Sequence, residues 1–64
     1  MKLLKIGEKL YYLNEKYEVL GVVISTDNHV FYEIDYKKDG DTWYIFAGIL
    51  DEGNVRALPG VWCE

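Results

Sequence analysis

From His29 to Lys37 the chain alternates without a break. Val30, Tyr32, Ile34 and Tyr36 fall on one side, and His29, Phe31, Glu33, Asp35 and Lys37 on the other. A period of two is the spacing of a strand with one buried face, and no helix can satisfy it. Turn-forming residues then recur about every ten positions, at Asn14, Asp27-Asn28, Asp39-Gly40 and Asp51-Glu52-Gly53-Asn54, which is the punctuation of a small all-β domain.

This pattern predicts five strands: Lys9–Leu13, Tyr17–Thr26, His29–Lys37, Thr42–Ala47 and Val55–Leu58. Asn14-Glu15-Lys16 is the first turn, and the Val-Leu-Gly-Val-Val-Ile run of the second strand is strongly β-branched. Gly21 within it marks a bulge or sharp bend. Asp39-Gly40 is the strongest hairpin signal, because both central residues of a type I′ turn need positive φ. Pro59 cannot donate to a ladder, so a 3₁₀ turn is expected over Pro59-Gly60-Val61. A rival reading, an amphipathic helix over residues 1–16, is opposed by Gly7, Asn14 and the Tyr11-Tyr12 pair.

With 64 residues the chain forms one domain, residues 1–64, and buries only about 60% of its unfolded surface. A lone cysteine, Cys63, excludes an intrachain disulfide, and with a single histidine, His29, it cannot build a four-ligand zinc site unaided. Stability therefore has to come from six Tyr, two Trp and two Phe with the branched aliphatics, or from self-association. No run reaches the roughly 18–20 apolar residues of a membrane helix, and Met1–Ile6 is too short for the apolar core of a signal peptide. The expected setting is the cytoplasm, with no membrane partner.

Charge is uneven: residues 1–26 carry a net +1 and residues 27–64 a net −5, for a total of −4. Nucleic-acid binding draws its affinity from a basic face that neutralises phosphates, and no such face is present. Six Lys against one Arg, with frequent Tyr, Ile and Asn, is a composition associated with AT-rich coding in low-GC bacteria and their phages.

Lys5-Ile6-Gly7-Glu8-Lys9-Leu10-Tyr11-Tyr12-Leu13 resembles the Gly-acid strand start of Src-homology-3-like barrels and their Tudor and KOW relatives. Trp43-Tyr44, Gly48 and Leu58-Pro59-Gly60-Val61-Trp62 are similar to that family's paired aromatics, following glycine and closing Pro-x-x-aromatic turn. The two stretches cover about half the chain. The resemblance implies a five-stranded barrel, and an aromatic shelf made by Trp43, Pro59 and Trp62. The early Tyr-containing strand and long acidic loop that complete the family's peptide groove have no counterpart here.

Two sets of residues are candidates for contact. Trp43, Tyr44, Phe46, Pro59 and Trp62 form the aromatic set. Alternation puts Trp43 and Ile45 on one face and Tyr44 and Phe46 on the other, and so small a barrel hides only one of them. Glu33, Asp35, Asp39 and Asp41, with Asp51 and Glu52, form an acidic set able to steer a basic partner or to imitate the phosphates of a nucleic acid. The plain alternatives are aromatic packing or self-association, and acids that solvate loops. The stretch from Asp35 to Asp41 lacks the ligand pattern of a calcium loop, since Lys37 occupies the third oxygen position. No metal, cofactor or catalytic residue is expected: His29 reads as a solvent-facing strand residue, and Cys63 lies next to the last residue. The sequence thus points to a non-enzymatic protein-binding module, an accessory protein of a phage or bacterium. A homo-oligomeric structural subunit is the alternative, and a nucleic-acid accessory module a weaker one.

Overall fold

The computed structural model describes residues 1–64 and is all-β, with no helix. Its strands are β1 (Lys9–Tyr12), β2 (Glu15–Glu18), β3 (Gly21–Ile24), β4 (His29–Ile34), β5 (Trp43–Asp51), β6 (Asn54–Ala57) and β7 (Val61–Cys63). They form a three-stranded sheet in the order β2-β1-β7 and a four-stranded sheet in the order β3-β4-β5-β6, every pairing antiparallel. The expected β class holds. The expected five-stranded closed barrel does not: there are seven strands in two sheets, and no ladder runs around the molecule.

The extra strands have local causes. The run expected as one strand, Tyr17–Thr26, breaks after Glu18. Val19 turns into the core, donating to the Glu8 carbonyl at 2.8 Å and accepting from Gly7 N–H at 2.9 Å. The chain thereby passes from one sheet to the other, and the bend lies beside Gly21. A Cβ on Gly21 would stand 2.6 Å from Glu33 Oε1, and the Leu20 N–H reaches the Glu33 carbonyl ahead of the regular ladder. At the C-terminal end Pro59 and Gly60 occupy the middle of a turn closed by Val61 N–H on the Leu58 carbonyl at 3.1 Å. Gly60 has φ +87°, the type II arrangement and not the 3₁₀ turn expected there. That reversal returns Val61–Cys63 alongside β1 as a seventh strand.

Tight turns also differ in place. The residues with paired positive φ are Leu13-Asn14 (52° and 69°), between β1 and β2, and Glu52-Gly53 (51° and 82°), between β5 and β6. Asp39-Gly40 closes no two-residue hairpin. The Asp35 carboxylate accepts from the Asp39 and Gly40 amides at 3.0 and 3.1 Å, ending the β4 ladder at Ile34 and shaping a longer loop up to β5.

One apolar core lies between the sheets. Leu10, Tyr17 and Val61 enter it from the three-stranded sheet, and Val30, Tyr32, Ile34, Ile45, Ala47 and Val55 from the other, with Leu4 and Val19 from the connections. Tyr32 is fully buried, and its hydroxyl accepts from the Leu4 N–H at 3.0 Å. The N-terminal segment lies along β6, where Met1 and Val55 exchange main-chain hydrogen bonds. Residues 1–8 contain no helix. Across β4 and β5, Val30 faces Gly48 while Phe31 faces Phe46, so Ala47 is an unpaired bulge residue. Gly48 has φ +153°, and a Cβ there would occupy the space of the Arg56 carbonyl of β6.

Gly48→Ala should therefore cost about 3 kcal/mol or more in urea unfolding. Gly53→Ala, where a Cβ meets open space at φ +82°, should cost only about 1–2 kcal/mol. Burial raises the Tyr32 hydroxyl above the ordinary tyrosine value, an effect partly opposed by its bond from Leu4. The neutral form is thus favoured in the folded state. Its stabilisation should be complete below about pH 10 and be lost as pH rises through the folded pKa. Ultraviolet titration should show tyrosine ionisation delayed until the fold is lost, and Tyr32→Phe should reduce the amplitude of that late step, to which Tyr17 also contributes.

Candidate functional site: a tyrosine cleft beside the acidic loop

Where the core ends at the loop between β4 and β5, three tyrosines stand together. Tyr12 comes from the inner face of β1, Tyr17 from β2 and Tyr36 from the loop just past Ile34. The Tyr12 and Tyr36 rings meet edge-on at 5.7 Å, and those of Tyr17 and Tyr36 are tilted at 6.1 Å. The Tyr17 hydroxyl donates to the Tyr36 carbonyl at 3.3 Å, pinning the loop to β2. Tyr36 continues the buried side of β4, but it lies beyond the last ladder pair and stays 42% exposed. With Leu13, Glu15, Lys37 and Lys38 these rings line an open cleft of about 320 Å³.

Charge is organised around the rings. Lys38 Nζ lies 5.4 Å from the Tyr17 ring centroid and 2.9 Å from Glu15 Oε2. That carboxylate raises the Lys38 ammonium above its ordinary value, while burial and then Glu15 push the Tyr17 hydroxyl up. Lys37 Nζ sits 5.3 Å over the Trp43 ring. On the opposite side the Leu13 N–H donates to the Gly60 carbonyl at 2.9 Å, setting the Pro59-Gly60 turn against a residue that lines the cleft.

The residues expected from the sequence are only partly assembled here. Trp43, 51% exposed, opens β5 and borders the cleft through Lys37, and Pro59 is exposed in the turn beside Leu13. Trp62 is elsewhere. It alternates with buried Val61 on β7 and stacks on Tyr11 at 5.3 Å and 13°, on the outer face of the three-stranded sheet. Tyr44 and Phe46 lie on the outer face of the four-stranded sheet, with Phe46 against Phe31 and His29.

Three of the acids share the loop next to the cleft. Asp35 holds two amides, Asp39 accepts from the Asp41 N–H at 3.1 Å, and Asp41 is exposed. Glu33 faces outward over Gly21 and accepts from the Thr42 hydroxyl. His29 lies 3.3 Å from Asp27, whose carboxyl is lowered chiefly by its bond from Ser25. Cys63 belongs to the other sheet, and no group of three His, Cys, Asp or Glu converges.

Tyr12, Leu13, Tyr17, Tyr36, Lys37 and Lys38 were not singled out by sequence reasoning. Their signal was the six-tyrosine content and the Tyr-Lys-Lys run at residues 36–38, a cluster that only the pairing of β1 with β2 brings into view. A second cleft of about 300 Å³, between Lys2, Glu8, Lys9 and Cys63, is spanned by the Lys2–Glu8 ion pair at 3.3 Å. No protein-family model, curated protein or solved structure matches the chain, so the site is read from its geometry.

Proposed function

We propose that this chain is a non-enzymatic binding module that holds an extended segment of another protein in the tyrosine cleft. The observation that carries the reading is the cleft itself. Tyr36 is exposed and Tyr12 half-buried beside Trp43, over a floor made by the buried Tyr17, on a scaffold whose loop is fixed by hydrogen bonds. Tyrosine and tryptophan lose little conformational freedom on binding and anchor interfaces out of proportion to their number. Asp35, Asp39 and Asp41 give this end negative charge, which favours approach by a basic partner. The likeness to Src-homology-3-like domains belongs to this proposal, supported by the aromatic cleft and the Pro59 turn. So does the role of a cytoplasmic accessory protein of a phage or bacterium, supported by the composition.

Selection from a displayed library of short peptides, followed by calorimetry on the variants, tests the reading. Trp43→Ala and Tyr36→Ala should each keep the β circular dichroism and weaken the selected peptides by about 2 kcal/mol, some thirtyfold. Trp62→Ala should leave binding unchanged and lower stability by about 1 kcal/mol, through loss of its stack on Tyr11. Asp39→Asn with Asp41→Asn should slow association and flatten its salt dependence. Peptides that bind all variants equally well would place the site elsewhere.

A further inference from the structure

Two sheets of this kind have four edges, and three of them are guarded. The β6 edge is covered by the main chain of Met1 and Lys2. The β2 edge carries Glu15, Lys16 and Glu18 within four residues, and β7 has three residues only. The fourth, β3, reads Gly21-Val22-Val23-Ile24. It is paired on one side only, has no charge and no proline, and leaves Val23 44% and Ile24 41% exposed. An uncharged, β-branched edge is the feature that soluble β proteins avoid unless something pairs with it.

We propose that β3 pairs antiparallel with β3 of a second copy of this chain, joining two four-stranded sheets into one about a two-fold axis. The hydrogen-bond phase allows it. Ser25 N–H points at the His29 carbonyl in β4, so along the strand the N–H groups of Val22 and Ile24 point to the open edge. With the axis at Val23, the main-chain groups of Val22 bond those of Ile24 in the second copy, and the reverse. The two Val23 side chains then face each other at about 5 Å. Each Val23 already stands opposite Phe31, which packs on Phe46, so the apolar strip of the outer face continues across the axis. Charge selects the location: two chains of net −4 repel, and the uncharged β3 is where they meet without opposing like charges. A chain that buries only 12 of its 64 residues gains most from such a contact.

Light scattering coupled to size exclusion, over roughly a hundredfold range of concentration, is the first test. The mass should double towards the high end, and Val23→Lys, an exposed substitution, should stay monomeric with an unchanged circular dichroism spectrum. Amide hydrogen exchange on the unmodified chain is the second. The Val22 and Ile24 amides should be protected at least about tenfold in concentrated solution and lose that protection on dilution. A mass that stays monomeric throughout overturns the proposal, as does a Val23→Lys variant that associates like the parent. So does β3 protection independent of concentration, or gained only when a foreign peptide is added. None of these readouts involves the tyrosine cleft, whose peptide binding can fail or succeed separately.

Discussion

The apolar side chains of so short a chain can fill one layer, and that layer is spent between the two sheets. Everything else follows from this limit. Each sheet keeps a bare outer face, carrying Tyr11 and Trp62 on one and Phe31, Tyr44 and Phe46 on the other. The core also thins towards the loop between β4 and β5. There Tyr36, in step with Val30, Tyr32 and Ile34, is the first residue of its row that the opposite sheet cannot cover. The tyrosine cleft is the place where the core runs out.

The Asp35 carboxylate turns that frayed margin into a defined shape. By taking the amides of Asp39 and Gly40 it supplies partners that a strand would otherwise have provided, and the Tyr17 hydroxyl ties the same loop to β2. Acids that read as a surface charge patch thus serve also as loop clamps, with Asp41 left exposed. Neutral Tyr17 and protonated Lys38 are the forms favoured beside Glu15, which leaves the cleft with rings and hydroxyls flanked by paired charge.

Much of this was legible in the residues. The alternation from His29 onward placed Val30, Tyr32 and Ile34 inward and Phe31 and Glu33 outward, and Gly21 marked the corner where the chain changes sheets. What escaped depended on long-range choices. Whether Asp39-Gly40 closes a hairpin depends on a carboxylate four residues upstream, and the left-handed turn at Leu13-Asn14 carries no glycine to announce it. Pro59-Gly60 fits either a 3₁₀ turn or a type II turn until β1 is known to offer an edge for Val61–Cys63. Trp43 and Trp62 looked alike in sequence, and strand pairing sent them to different sheets.

The way Met1 is held against Val55, and β1 between β2 and β7, sets the order in which the fold can form. The contacts that seal the β6 edge link residues 54 positions apart, and β1 lacks its second neighbour until Val61–Cys63 is available. Hairpins such as β3–β4 and β5–β6 can form early and locally, but the interior cannot shut until residues near both ends of the sequence meet. During synthesis the β6 edge therefore stays open until Val55 has left the ribosome, and β1 lacks its β7 neighbour until residue 63 has followed. The uncharged β3 strand is exposed throughout that interval, and it is then that the nascent chain depends most on neighbours that do not pair with it.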